Sequence, residues 1–161
     1  MILKDSGERR EFTSGAVRDC ADDKGRCDLL PLKQVSELFE GENMWVVGIL
    51  NHLNSFLYTG DTEDIYRVIY LFIFGILKVD MQTAILEVSK QYEDGARKYN
   101  ERNWEKGIPL HCYIDSGIRH LLKYVRGDND EPHERAFIWN MFGLLWTLEN
   151  KPEMNDLPFK K

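Results

Sequence analysis

Residues that could bind a phosphate are found in the segment between positions 95 and 140. Asp115 and Arg119 lie four residues apart in the stretch DSGIRHLLKYVRG, so their side chains are neighbours on one face of a helix. The carboxylate can hold the guanidinium in one orientation, and a planar guanidinium donates two parallel hydrogen bonds to a phosphate. A surface ion pair of little energetic value is the alternative for this pair. The pattern predicts a site for a phosphate-bearing ligand.

Two histidines and an asparagine accompany this pair. His120 follows Arg119 directly, while His133 and Asn140 are seven residues apart and share one face of the next helix. Either imidazole can position water or transfer a proton, so we expect His120, His133 and Asp115 to be the catalytic candidates. The amide of Asn140 can read a base or a ribose, or it can tie two helices together.

Basic and aromatic residues extend the predicted site. Trp104 and its polar neighbours can close over a ligand by stacking and charge, or they can form a hydrophobic plug. Lys24 and Arg26 precede three leucines, so this segment either presents charges to the ligand or is a charged leader before a helix. The predicted ligand-binding residues are Lys24, Arg26, Lys98, Asn103, Trp104, Lys106, Arg119, Lys123 and Asn140.

An acidic run between the last two predicted helices offers oxygen ligands for a metal. Mg²⁺ is usually held by one or two carboxylates together with substrate phosphates. A solvated turn is the alternative for such a run. The residues that we expect to bind Mg²⁺ are Asp128, Asp130, Glu131 and Glu134. No P-loop, dinucleotide-binding or HExxH zinc motif occurs in the sequence.

Composition excludes several classes of function. The formal net charge is −6, which argues against binding to a nucleic acid polymer, because that binding needs basic residues that displace counterions. The three cysteines form no CxxC pair, so we expect reduced thiols in a cytoplasm. The N-terminus has no apolar run typical of a signal peptide. The apolar segment 68–77 is about half of the roughly 20 residues that cross a bilayer, so no membrane is expected.

Helical periodicity dominates the chain. The predicted fold is all-α, a compact bundle of about five to six helices that forms a single helical domain over 24–161. An extended or mobile N-terminal arm is expected over 1–23. Helices are predicted over 32–39, 43–57, 61–79, 80–99, 110–125 and 132–148. The helix over 61–79 is apolar on most sides, so it belongs in the middle of a bundle or against a partner subunit, and we expect a homo-oligomer.

Spaced blocks of the sequence resemble a known family. GRCDLLP, GARKYNERNWEKG, DSGIRHLLKYVRG and HERAFIWN are similar to motifs of a phage and bacterial family, the N-terminal domain of dATP/dGTP diphosphohydrolase. The resemblance covers roughly 24–145. The residues that match its motif positions are Lys98, Tyr99, Asn103, Trp104, Glu105, Gly107, Asp115, Arg119, His120, His133, Trp139 and Asn140. The family often has a second histidine where this chain has Ala136.

The resemblance implies that the protein binds a purine nucleotide, and on the same ground we expect it to hydrolyse that nucleotide. It also suggests a link to the all-α, MazG-like pyrophosphohydrolases, which bind Mg²⁺ through paired glutamates. Here only Glu131 and Glu134 have that spacing in the polar segment. Three hypotheses therefore stay open: a Mg²⁺-dependent purine (d)NTP phosphohydrolase, a protein that sequesters a nucleotide such as a host defence signalling nucleotide without cleaving it, and an oligomerising helical adaptor.

Overall fold

The computed structural model describes residues 7–160, in which six α-helices form a compact bundle. The predicted all-α class is confirmed. The helices are α1 Leu32–Glu37, α2 Met44–Thr59, α3 Thr62–Tyr70, α4 Met81–Tyr99, α5 Leu110–Arg126 and α6 His133–Asn150. Short 3-10 turns occupy Cys27–Leu29, Asn103–Lys106 and Pro152–Met154. Residues 1–6 of the predicted arm lie outside the described residues.

Side-chain caps set the start of several helices. Asn43 accepts a hydrogen bond from the amide of Val46, and Asp80 accepts one from the amide of Thr83. Both contacts satisfy amides that have no partner inside the helix. Gly127, with φ of 92°, ends α5 in the left-handed conformation that glycine adopts without strain.

The helix predicted over 61–79 changes its winding after Tyr70. Leu71–Leu77 is a π-helix, in which each turn is wider than in an α-helix. A Cβ at Gly75 would lie 2.3 Å from the ring of Trp45, so the indole of α2 packs directly on the backbone there. Tyr70 and Phe74 stay about half exposed and stack with ring centroids 6.0 Å apart. A homodimer through this surface stays a prediction.

The centre of the core is the seam between α5 and α6. A Cβ at Gly143 would lie 2.3 Å from Cε1 of Tyr113, and one at Gly117 would lie 2.7 Å from the methyl of Met141. These glycines let two helix backbones approach closely, and the completely buried Tyr113 fills the space between them. Phe137 of α6 joins the seam to Phe72 with ring centroids 4.4 Å apart.

A two-stranded hairpin precedes the bundle and was not predicted. Strands β1 Arg9–Glu11 and β2 Val17–Asp19 pair antiparallel, with Arg9 opposite Asp19. Asn103 holds β2 against the bundle, because its amide donates to the carbonyl of Val17 and accepts from the amide of the same residue, at 2.7 and 2.9 Å. The N-terminal segment over 7–23 is therefore joined to the loop between α4 and α5.

Among residues 7–160, no single helix combines the length and apolarity needed to cross a membrane. Thr62–Leu77 and Met81–Tyr99 meet the length and composition criteria only when taken together, and the two are bent by 103°.

Candidate functional site

A cavity of about 460 Å³ opens between the hairpin, α4, the Trp104 loop, α5 and α6. Its volume lies within the range of small-molecule pockets. Nine of the residues predicted to form the site line it: Lys24, Arg26, Lys98, Asn103, Trp104, Asp115, Arg119, His120 and Asn140. Glu131 of the acidic run also contributes to the wall.

The cavity is cationic although the chain as a whole is acidic. Seven lysine and arginine side chains line it against four carboxylates, whereas the chain carries a net charge of −6. The cations are Arg10, Arg18, Lys24, Arg26, Lys98, Arg102 and Arg119. An excess of positive charge in a concave, partly buried space attracts a small anion.

Arg18 of the hairpin enters this cavity and was missed by sequence reasoning. Its Nη2 donates to Ser116 Oγ at 3.1 Å and to the side-chain oxygen of Asn140 at 3.3 Å. Its guanidinium carbon lies 5.5 Å from the ring centroid of Trp139 and 5.7 Å from that of Tyr113. No local sequence signal marks Arg18, because all four partners are at least 95 positions away along the chain.

The side chain of Asn140 forms hydrogen bonds inside the protein. Its amide nitrogen donates to the carbonyl of Ala136 at 2.8 Å, and its oxygen accepts from Arg18. The base-reading role of this side chain stays a prediction. Asn140 orients the guanidinium of Arg18 in the cavity wall.

A second contact fixes the hairpin on α4. Asp19 accepts from Lys98 Nζ at 2.5 Å and from the hydroxyl of Tyr99 at 2.6 Å. Burial raises the pKa of Tyr99, and the hydrogen bond to Asp19 is the second cause of the increase. The phenol therefore stays protonated and donates its hydrogen bond to Asp19. Lys98 thus holds the hairpin as well as lining the cavity.

Asp115 and Arg119 form the predicted pair. Nη2 of Arg119 lies 2.7 and 2.8 Å from the two carboxylate oxygens of Asp115, and it also donates to the carbonyl of Gly25 at 2.8 Å. Asp115 in turn accepts from the amide of Cys27 at 2.7 Å. Asp115 is 5% exposed, and through these contacts it positions Arg119 and the 25–27 segment. Its catalytic role stays a prediction.

Three buried polar atoms at this wall have no hydrogen-bond partner. They are Nη1 of Arg18, Nε of Arg119 and Oε1 of Gln91. A buried donor or acceptor without a partner costs about 1–3 kcal/mol. Two of these atoms are guanidinium N–H donors, a kind of group that forms charge-assisted hydrogen bonds with anions.

Aromatic rings form the apolar part of the site. Tyr92 of α4 meets Trp104 edge-on with centroids 5.7 Å apart, and Trp139 with centroids 6.1 Å apart. Trp104 is braced from behind by Trp146 at 4.9 Å. Rings held in this way offer edges and faces against which a heterocycle can pack.

A histidine cluster lies at the cavity wall. Nδ1 of His120 and Nδ1 of His133 are 2.9 Å apart, and Nε2 of His133 lies 2.7 Å from the carboxylate of Asp130. Burial and then the neighbouring His133 lower the pKa of His120 to about 3, so this imidazole is neutral. His133 itself is completely buried and does not line the cavity.

The other predicted residues do not converge on the cavity. Asp128 forms a bidentate pair with Arg126, and Asp128 and Glu134 line a separate shallow groove. Lys106 and Lys123 are absent from the cavity wall, and Nζ of Lys123 lies 4.0 Å from Asp130.

The structure defines an all-α protein with a cationic, aromatic-walled cavity. The family model described as dATP/dGTP diphosphohydrolase, N-terminal, matches residues 66–157, which is more than half of the chain. The chain belongs to this family, as the resemblance predicted. Three of the four similar blocks lie within the match, whereas GRCDLLP precedes it. Membership connects it with nucleotide metabolism and a nucleotide substrate. The match begins after the hairpin, so Arg18 lies outside it. No curated protein and no solved structure matches significantly.

Proposed function

We propose that the cavity binds a purine deoxynucleoside triphosphate and that the protein is a phage-type, Mg²⁺-dependent phosphohydrolase that cleaves a phosphoanhydride bond. Its place would be in deoxynucleotide metabolism, in agreement with the family to which the chain belongs. The observation that carries the proposal is the pair of buried guanidinium donors without partners, on Arg18 and Arg119, in a cationic cavity.

Arg18 and Arg119 are the phosphate-binding residues in this proposal. Both guanidinium groups already have one side fixed by the protein, through Asn140 and Asp115, and each keeps a donor without a partner. A donor that is held in place before the ligand arrives loses little conformational entropy on binding. Charge-assisted bonds from two such groups favour a polyphosphate over a neutral ligand.

The nucleoside would pack against the aromatic wall. Trp104 and Trp139 line the cavity, and the partnerless Oε1 of Gln91 is an acceptor at the same wall. Adenine and guanine both carry amino groups that can donate to such an acceptor. These contacts support a purine ligand.

Hydrolysis would need a metal and a positioned water. Mg²⁺ would arrive with the triphosphate and keep phosphate and water ligands, and Glu131 is the carboxylate of the acidic run that lines the cavity. A neutral imidazole has one ring nitrogen that can accept a hydrogen bond, so His120 at the same wall suits the positioning of water.

One observation favours a second function, in which the nucleotide is captured without cleavage. Of the four acids predicted to bind Mg²⁺, Asp128, Asp130 and Glu134 are absent from the cavity wall. A triphosphatase that relies on several carboxylates would place more of them beside the phosphates.

Product chromatography after incubation with dATP or dGTP and Mg²⁺ tests the two functions. The phosphohydrolase predicts a nucleotide product from wild-type protein, loss of turnover in Glu131→Gln with binding retained, and weak binding in Arg18→Met. Intact nucleotide recovered from a tight complex rejects hydrolysis and supports capture. Neither binding nor turnover at high protein concentration rejects both.

A further inference from the structure

We infer that His120, His133 and Glu131 form a binding site for a divalent transition-metal ion such as Zn²⁺. The ligand atoms are Nδ1 of each histidine and Oε1 of Glu131, and all of them lie within 4.8 Å of one another. The set joins two imidazoles with one carboxylate. Such ligands suit zinc, iron or nickel better than Mg²⁺, which prefers a shell made only of oxygen atoms.

The separations of these atoms match a metal site. The two Nδ1 atoms are 2.9 Å apart, and Oε1 of Glu131 lies 3.6 Å from each of them. The point equidistant from the corners of that triangle is about 2.0 Å from each atom, and zinc binds imidazole nitrogen and carboxylate oxygen at about 2.0–2.2 Å. An ion at that point would lie at bonding distance from all three ligand atoms.

Hydrogen bonding alone does not account for the position of Glu131. At 3.6 Å its Oε1 is beyond normal hydrogen-bond length from both imidazoles, yet it is equally distant from the two. The carboxylate is directed at the space between the rings. A cation in that space satisfies the carboxylate and both ring nitrogens together.

Asp130 supports His133 as a ligand. Its carboxylate lies 2.7 Å from Nε2 of His133, so Nε2 carries the proton and Nδ1 presents a lone pair. Metal-binding histidines commonly donate their other N–H to a carboxylate, which fixes the ring and raises its basicity. The alternative group Asp128, Asp130 and His133 is weaker, because Arg126 already binds Asp128 through two contacts.

The site is accessible from the cavity. His120 and Glu131 line the cavity wall, whereas His133 is completely buried behind them. Three protein ligands leave a further coordination position, which is the arrangement of a reactive metal site and differs from the closed shell of a structural one. The site does not depend on the proposed nucleotide, and it is tested without one.

Metal titration of chelator-treated, full-length protein tests this inference. Calorimetry with Zn²⁺ should give one site per chain, and Co²⁺ should give the intense visible absorption of a low-symmetry four-coordinate ion. A large excess of Mg²⁺ should not displace either ion. His120→Gln and Glu131→Gln should each weaken Zn²⁺ binding about tenfold or more. Asp128→Asn, the matched control, should leave the affinity unchanged.

Several outcomes overturn the site. The site is rejected if wild-type protein binds neither Zn²⁺ nor Co²⁺ at one equivalent. It is also rejected if Glu131→Gln has a native circular dichroism spectrum and an unchanged affinity for Zn²⁺. Retention of zinc in that variant would indicate the free thiols of Cys20, Cys27 or Cys112 as ligands. A loss confined to Asp128→Asn would assign the ion to the other group. Failure of nucleotide binding in the same samples would reject only the proposed function.

Discussion

The α5–α6 seam and the wall of the neighbouring cavity, to which α5 and α6 also contribute, are packed in opposite ways. At the seam, a Cβ on Gly143 would collide with the buried ring of Tyr113 at 2.3 Å. At the cavity, a Cβ on Gly95 of α4 would meet no atom within 4 Å. The seam has no room for one methyl group, whereas the cavity wall leaves open space beside the backbone.

The same contrast holds for polar groups. At the seam, Thr147 donates to the hydroxyl of Tyr113 at 3.3 Å. At the cavity, buried donors of Arg18 and Arg119 have no hydrogen-bond partner. A protein interior normally satisfies such groups and fills such space, so a wall that does neither supports the proposed ligand site. The difference separates the seam, which stabilises the fold, from the wall of the proposed binding site.

The largest expected effect is at the seam. Gly143→Ala should lower the free energy of unfolding by about 3 kcal/mol, because the new methyl must displace the ring of Tyr113 in a filled core. Chemical denaturation measures this change. A variant as stable as the wild type would show that the seam is loosely packed and would remove the contrast with the cavity.

The next effect concerns the cavity and affinity. Arg18→Met should weaken binding of dATP or dGTP by about 2 kcal/mol, or roughly 30-fold, because charge-assisted hydrogen bonds are lost. Fluorescence titration measures it. The control is Arg97→Met on the exposed side of α4, where the guanidinium is 70% exposed and does not line the cavity. Equal affinities for the two variants would refute the role of Arg18.

A pH effect is expected at the rim, where α5 begins. The hydrogen bond with Asp156, and then the contact with Cys112, raise the pKa of His111 to about 10. The stabilisation is complete below the unfolded value near 6.5 and is lost as the pH rises through about 10. Partial exposure reduces it to about 1 kcal/mol. Chemical denaturation at several pH values between 6 and 10 measures the effect. The free energy of unfolding should decrease less with rising pH for His111→Gln than for the wild type, and an equal decrease would contradict the pairing.

The smallest effect has the opposite sign. Gly95→Ala should raise the free energy of unfolding by about 0.5–1 kcal/mol, because alanine favours a helix over glycine and its methyl meets no atom. Thermal unfolding of Gly95→Ala and Gly143→Ala, measured together, compares the effect of the same substitution on stability in the two regions. Destabilisation in both variants would mean that the space beside Gly95 is not open.

Local sequence signals were sufficient for the helices and for part of the site. The spacing of Asp115 and Arg119 predicted their pairing, and Asp80 predicted the start of α4. The hairpin could not be predicted, because strands of three residues are too short to show a clear alternation of polar and apolar side chains. Arg18 was missed because its contact with Asn140 joins positions 122 apart.

Burial also could not be read from spacing. His133 and Asn140 share a helix face as predicted, yet His133 is enclosed behind His120 and the amide of Asn140 is used by Arg18. The indole of Trp45, which packs on the π-helix at Gly75, comes from another helix. Tertiary contacts of this kind override the local periodicity on which helix limits are predicted.

Calorimetric titration of dATP and dGTP into wild-type protein and Gly95→Leu is the most direct test of the cavity as the nucleotide site. The leucine side chain would occupy the open space beside α4 without touching the seam. The expected result is one bound purine nucleotide per wild-type chain and no measurable binding to a variant that unfolds at the wild-type temperature or above. No heat of binding with the wild type, or equal affinities for the two proteins, would contradict the account.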